Sequence, residues 1–214
     1  MKSKKLLPII LALAMVFSVL PASTVLVYAD EITETISADT IWNDGDTVGG
    51  ITISGGTVTI NGNVGITAAI TIKGDVTFTG GGTLNRMSTS GNLIKVESGS
   101  LTLNNVTIDG TNVTISDSWT AAAINMADGT VIMNDGAKIT NHKRTSGYGP
   151  AVYMAGGNFK MKGGTISGCE TSEYGGAVYL YGGSFEMNNG TVENNKTTTS
   201  TKYGGGAFYV RGAT

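Results

Sequence analysis

The sequence predicts an all-β protein, a right-handed parallel β-helix solenoid with three short strands in each coil of about 26–30 residues. Three observations predict this fold. A repeat recurs through the second half of the chain, apolar and polar residues alternate within each copy, and glycine or asparagine separates the apolar stretches. The 32 glycines and only 3 prolines also favour strands and tight turns, because glycine destabilises helix interiors.

An alanine opens each copy of the repeat. Ala123, Ala151, Ala177 and Ala207 are separated by 28, 26 and 30 residues, a spacing typical of solenoids. The distance from the alanine to the third apolar stretch is 16, 15 and 15 residues, whereas the connection that follows has 12, 11 and 15. Nearly all the variation in length therefore falls in one connection per coil, which we expect to form loops on one edge of the solenoid.

Each copy contains three candidate strands. The first reads INM, VYM, VYL or FYV, with apolar residues at both outer positions. The second places Val or Phe and then Met on either side of Ile132, Lys160 or Glu186, and the third keeps a single inward apolar residue. This period of two predicts half-buried strands, and Gly-Gly or Asn-Gly at the corners supplies the positive φ angles of sharp turns. Stacked coils would pair equivalent strands in a parallel ladder.

The chain is predicted to have three segments. Residues 1–29 carry lysines, a long apolar stretch and then small residues ending at Ala29, the pattern of a cleaved signal peptide. An uncleaved membrane anchor is the alternative. Residues 30–50 are expected to cap the first coil, because an open solenoid end exposes unpaired strand edges. Residues 51–214 would form the β-helix, and their end shortly after the first strand of a new coil predicts either C-terminal truncation or an assembly edge.

Composition excludes several classes of function. The formal net charge is -2 and no basic run follows the first few residues, so we expect no nucleic-acid partner. Cys169 is the only cysteine and is interpreted as a small apolar core residue without chemistry. The sequence lacks metal-ligand clusters, nucleophile triads and phosphate-binding glycine loops, so we expect neither a cofactor nor a metal. After signal cleavage, no transmembrane span is expected.

The phrase GGAVYL, followed by GGSFEMNNGTVENN, lies within residues 175–195 and carries a resemblance. It resembles the right-handed β-helix repeats of bacterial secreted and surface proteins, called adhesin-like, which share a pectate-lyase-like solenoid. The resemblance covers residues 93–214 well and 51–92 loosely. Gly175-Gly176-Ala177-Val178 is also similar to a repeat of polymorphic outer-membrane proteins, although Val192 replaces the phenylalanine of their second motif. The resemblance implies a secreted or cell-surface protein that binds glycans or host and matrix surfaces.

Tyrosines provide the candidate binding residues. One set shares an outward position of the first strand in consecutive coils and predicts an exposed ladder of rings that stacks on sugars or apolar groups. Its alternative role is to brace the sheet. A second set ends the variable connections, where solenoids place recognition loops, although these connections are alternatively plain solvated linkers. The candidates are Tyr153, Tyr179 and Tyr209 in the ladder and Tyr148, Tyr174 and Tyr203 in the connections.

An enzyme is the alternative, because the same solenoid carries polysaccharide lyases and glycoside hydrolases, with this chain as the N-terminal part. Such enzymes need acidic residues converging on calcium or a carboxylate pair. The acidic residues here are scattered and are interpreted as turn-forming and solvated: Asp109, Asp128, Asp135, Glu170, Glu173, Glu186 and Glu193. His142, the only histidine, is interpreted as a solvated loop residue. No catalytic residue is predicted, and a spacer that binds nothing is the third possibility.

Overall fold

The computed structural model describes residues 35–116, 119–198 and 204–212. Within these ranges every regular element is a β-strand, and all strand pairs are parallel. No helix long and apolar enough to cross a membrane occurs among these residues. The strands are arranged as successive coils of a parallel β-helix, so the predicted fold class is confirmed.

The N-terminal coils have the simplest strands. The first contains β1 (Thr35–Ile36), β2 (Thr40–Trp42) and β3 (Thr47–Val48), the second β4 (Thr52–Ile60) and β5 (Asn63–Ile66), and the third β6 (Ile70–Thr79) and β7 (Thr83–Arg86). Both β1 and β2 pair with the long strand β4, and β3 pairs with β5. The segment predicted as a cap therefore lies on the second coil as three further parallel strands.

Later coils contain the three predicted strands and a fourth strand of two residues in the connection. They are β8 (Ile94–Val96), β9 (Ser100–Leu103), β10 (Thr107–Asp109) and β11 (Thr114–Ile115); β12 (Ile124–Met126), β13 (Thr130–Met133), β14 (Lys138–Thr140) and β15 (Lys143–Arg144); β16 (Val152–Met154), β17 (Asn158–Met161), β18 (Thr165–Ser167) and β19 (Glu170–Thr171); β20 (Val178–Leu180), β21 (Ser184–Met187), β22 (Thr191–Glu193) and β23 (Lys196–Thr197); and β24 (Phe208–Val210).

Equivalent strands form three sheets. The first and second strands of every coil belong to a 13-stranded sheet, the third strands to a 7-stranded sheet, and the connection strands to a 4-stranded sheet. The register follows the sequence repeat, since Val152 pairs with Val178 and Val178 with Phe208. The alternation of apolar and polar residues in each strand therefore places the apolar side chains in one continuous interior.

Aliphatic side chains, methionine and phenylalanine fill this interior. Trp42 is buried and its ring meets Phe78 edge to face at 5.9 Å. Further along, Phe159 stacks on Phe185 with ring centroids 4.9 Å apart. Cys169 is buried, and this burial is the main reason why the pKa of its thiol is raised to about 12. Its interpretation as a core residue agrees with this position.

The interior also contains polar residues that the sequence pattern did not predict. His142 is fully buried, so its interpretation as a solvated loop residue was wrong. Its Nε2 lies 3.3 Å from the Ile108 carbonyl oxygen of the preceding coil. Arg86 and Arg144 are buried as well, and their guanidinium groups donate to backbone carbonyl oxygens. The backbone carbonyl oxygens thus provide hydrogen-bond partners for polar side chains that point inward.

Left-handed backbone occurs at several repeated corners, one of which lies two residues after the inward residue of the third strand. Asn141, Gly168 and Asn194 hold this position with φ angles of 60°, 66° and 54°. Asparagine and glycine are the residues that tolerate this conformation best. The corner turns the chain from the third strand into the connection, and it therefore sets where each connection starts.

Candidate functional site

The predicted tyrosine ladder exists, but its rings are not exposed as expected. Strand register places Tyr153, Tyr179 and Tyr209 side by side in consecutive coils. Their rings stack with centroids 5.6 and 5.3 Å apart and planes inclined by only 3° and 11°. Tyr179 is only 2% exposed, and Tyr153 and Tyr209 are partly buried. Because the ring faces cover one another, a ligand reaches mainly the ring edges of this ladder.

The tyrosines of the connections cover the ladder instead of projecting from it. Tyr148 stacks on Tyr179 with centroids 4.5 Å apart, and Tyr174 contacts Tyr209 at the same distance. Tyr148 and Tyr174 also contact each other at 5.5 Å. The two predicted sets thus form one cluster of two layers. Tyr203, the third predicted connection residue, lies outside the residues that the structure describes.

Two exposed aromatic residues that were not predicted extend this cluster. Trp119 packs against Tyr148 at 5.8 Å and is 57% exposed. Tyr181, two residues after Tyr179 on the same strand face, is 52% exposed, and the Arg211 guanidinium lies 5.8 Å from its ring centroid. We call the whole surface the aromatic patch. It consists of Trp119, Tyr148, Tyr153, Tyr174, Tyr179, Tyr181 and Tyr209.

A sequence signal for Trp119 was available. An aromatic residue stands three or four positions before the opening alanine of each copy, as Trp119 before Ala123, Tyr148 before Ala151 and Tyr174 before Ala177. The backbone confirms that these positions are equivalent, because the Tyr148 amide donates to the Trp119 carbonyl oxygen at 3.0 Å. This position holds tryptophan in one copy and tyrosine in the later copies, so a pattern of tyrosines alone does not include Trp119. Tyr181 takes a repeat position that Ala155 and Arg211 hold in the neighbouring coils, so no repeated aromatic residue marks it.

Backbone and interior contacts fix the connection that carries Tyr148. From inside the solenoid, Arg144 donates to the carbonyl oxygens of Ser146 at 2.6 Å and Tyr148 at 3.0 Å, and also to that of Ala121. Gly149 has a φ angle of 40°, and a Cβ atom there would lie 2.6 Å from the backbone nitrogen of Tyr179. The absence of a side chain at Gly149 therefore lets the connection approach the ladder closely.

The patch presents neutral hydroxyl groups and one positive charge. Burial, and then the neighbouring Tyr179 and Tyr181 phenols, raise the pKa of Tyr153. Its hydroxyl therefore stays protonated at neutral pH and can donate a hydrogen bond. A hydrogen bond with the Tyr179 side chain raises the pKa of Arg211, which keeps its guanidinium charged beside Tyr181. This combination suits a ligand with apolar faces and many hydroxyl groups.

In the part of the chain that the structure describes, no group of three or more His, Cys, Asp or Glu residues is placed to hold a metal ion. Asp109 is held by the side chains of Thr111, Thr140 and Asn141 at 2.8–3.0 Å. Burial favours its neutral form, but these hydrogen bonds outweigh burial and lower its pKa. Asp109 is therefore ionised at neutral pH, unlike a general acid, whose pKa must be raised.

Comparisons with protein-family models, with curated proteins and with solved structures found no match to this chain. The parallel β-helix architecture therefore rests on the strand pairing of the chain itself. The function has to be argued from the side chains that the solenoid presents on its surface.

Proposed function

We propose that this protein is an exported, adhesin-like recognition module that binds glycans through its aromatic patch. The observation that carries the proposal is the pair of exposed rings, Trp119 and Tyr181, supported by a rigid layer of stacked tyrosines. Single exposed apolar residues are common on protein surfaces, whereas clustered ones mark interaction sites. Here Trp119 packs against Tyr148, which stacks on the tyrosine ladder.

The chemistry of the patch matches that of a sugar. The C–H face of a pyranose ring packs on an aromatic face, for which Trp119 and Tyr181 are accessible. The Arg211 guanidinium, 5.8 Å from the Tyr181 ring centroid, can donate hydrogen bonds to sugar hydroxyl groups beside that ring. Since the buried tyrosines hold the surface in one conformation, little side-chain entropy is lost on binding.

Export belongs to the same proposal. Residues 1–29 have the pattern of a signal peptide, although they lie outside the residues that the structure describes. Outside the cell or at its surface, a glycan or matrix partner would be within reach of the patch. Repetition of equivalent aromatic residues from coil to coil supports an adhesin-like role, because a repeated surface can contact a repeated polymer.

The test measures binding of the full chain to a panel of immobilised glycans. Trp119→Ala and Tyr181→Ala are each expected to weaken binding about tenfold, the loss of one stacking contact. Ile41→Ala is the matched control, since Ile41 is an exposed apolar residue of β2 outside the patch. Circular dichroism verifies that the variants keep the strand content of the unchanged chain. Unchanged glycan binding by a correctly folded double variant would refute the proposal.

A further inference from the structure

A second surface with the properties of a binding site lies on the 7-stranded sheet, which contains none of the strands that carry the aromatic patch. An open groove of about 500 Å³ is lined by residues of the first three coils, among them Thr47, Gly65 and Asn85, and by Asn112 and Val113 of the fourth coil. Thr47 of β3 pairs with Gly65 of β5, and Gly65 pairs with Asn85 of β7. Because these residues are neighbours across the strands, the groove runs along the axis of the solenoid.

Gly65 lets the thioether of Met87 lie against the sheet at this groove. A Cβ atom at Gly65 would clash with Sδ of Met87 and lie 3.3 Å from Cγ2 of Thr47, so the Met87 side chain occupies the place that a Gly65 side chain would take. The φ angle of Gly65 lies outside the left-handed region, so the backbone conformation does not require glycine here. Met87, which is 55% exposed, forms an apolar wall of the groove. The glycine therefore determines where this wall lies.

Asn63 is held in place at this groove. Its backbone amide donates to Oδ1 of Asp44 at 2.7 Å, and its own Nδ2 donates to the same oxygen at 3.3 Å. Nδ2 of Asn85 approaches Oδ1 of Asn63 at 3.5 Å. Two amide side chains from adjacent coils are thus oriented before a ligand arrives, which lowers the entropy cost of binding.

The charges of the groove select against anions. The guanidinium of Arg86 donates to the carbonyl oxygens of Gly91 at 3.0 Å and Ala122 at 2.8 Å, so this cation is engaged with the backbone. Asp46, the acidic residue of the lining, accepts a hydrogen bond from the backbone amide of Asn43 at 2.7 Å. The groove therefore offers neutral amide and hydroxyl groups and the Asp46 carboxylate beside apolar side chains.

We propose that this groove binds a neutral oligosaccharide whose chain runs along the solenoid axis. Adjacent strands lie roughly 4.8 Å apart, close to the length of one pyranose unit in an extended chain. Successive sugars would then meet successive coils. Asn63 and Asn85 hydrogen-bond sugar hydroxyl groups, while Met87 and Val113 contact the C–H faces. The site is independent of the aromatic patch and its proposed function.

The experiment is an NMR titration of the full chain, labelled with ¹⁵N, with cellotriose, maltotriose, chitotriose and mannotriose. At least one of them is expected to shift the amide signals of Asn63, Gly65 and Asn85 saturably, with a Kd of about 1 mM. Gly65→Val places side-chain atoms where Sδ of Met87 lies and crowds Cγ2 of Thr47, so the exposed Met87 side chain is displaced and the groove changes shape. We expect this variant to weaken binding about tenfold or more. Gly55→Val is the matched control, because a Cβ at this strand position meets only the Asp75 carbonyl oxygen at 3.8 Å.

Three results would overturn the proposal. The first is the absence of saturable shifts at these residues with all four sugars up to about 50 mM. The second is equal binding by the Gly65→Val and Gly55→Val variants. The third is saturation of the groove by an uncharged pentapeptide but by none of the sugars. Trp119→Ala separates the two proposals, since it is expected to leave the groove shifts unchanged.

Discussion

Acidification is expected to destabilise this solenoid through the buried imidazole of His142. Because a carbonyl oxygen only accepts hydrogen bonds, the contact between Nε2 and the Ile108 oxygen places the ring proton on Nε2. The other nitrogen, Nδ1, is buried and has no hydrogen-bond partner among the residues that the structure describes. Burial, and then the positive charge of Arg86, lower the pKa of His142 from 6.5 to about 3. The folded protein therefore keeps this histidine neutral.

The size of the effect follows from these two pKa values. Below pH 6.5 the unfolded chain binds a proton that the folded chain does not bind until about pH 3. Stability is therefore lost as the pH falls through this window, by about 1.4 kcal/mol per pH unit. Two units below the ordinary pKa, the loss amounts to about 2.7 kcal/mol. Between about pH 6.5 and about pH 4.5 Asp109 contributes little, because its ordinary pKa of 3.8 lies below this interval and folding lowers it further.

Urea unfolding followed by circular dichroism at about pH 6.5 and about pH 4.5 measures this loss. His142→Asn provides the matched variant, because Asn195 occupies the equivalent position and its Nδ2 donates to the Ile166 carbonyl oxygen at 3.0 Å. Because the unfolded histidine is already half protonated at pH 6.5, the asparagine variant is expected to lose about 2.3 kcal/mol less than the unchanged chain over this interval. Equal losses in the two proteins would refute the assignment of this pH dependence to His142.

Three further predictions concern single interior or corner residues. Arg144→Leu removes the guanidinium from three backbone carbonyls and should lower the free energy of unfolding by at least about 2 kcal/mol. An unchanged near-ultraviolet spectrum of the aromatic residues would show that Arg144 does not position Tyr148. Burial raises the pKa of the Cys169 thiol to about 12, so Cys169 should react with Ellman's reagent at about pH 8 only when urea unfolds the chain. Fast reaction of the native chain would contradict the burial of this thiol. Gly168→Ala should lower the free energy of unfolding by about 1 kcal/mol, because its φ of 66° is left-handed. Gly168→Asn should lower it less, because Asn141 adopts the same conformation at the equivalent corner. Urea unfolding measures both variants, and equal losses would argue against backbone strain.

The architecture was predictable because it depends on local patterns. The period of two in each strand identified inward residues such as Val152 and Phe159, and both are fully buried. The offset between copies gave the correct register, as the pairing of Val152 with Val178 shows. A parallel ladder pairs each strand with its own copy, so a sequence alignment of the repeats is already an alignment in space.

The surface was less predictable, because it depends on contacts between separate segments. Strand alternation correctly placed Tyr179 on the outer face, but it carried no information about Tyr148, which covers that ring. In the same way, the polar composition around His142 suggested a solvated loop, whereas the connection folds this side chain into the interior. Irregular connections lack the periodicity from which burial is inferred, so their side chains have to be located by the structure.

Because differences in length between coils lie in the connections, the solenoid can lengthen by duplication of a coil. Each coil contacts only its neighbours, and the connections absorb differences in length without changing the register of the strands. A genetic event that copies one coil would therefore yield a chain that still stacks. Each copy would add a ring to the Tyr153–Tyr179 ladder and another aromatic residue above it. The number of contacts offered to a polymeric partner, and with it avidity, could thus change in single steps.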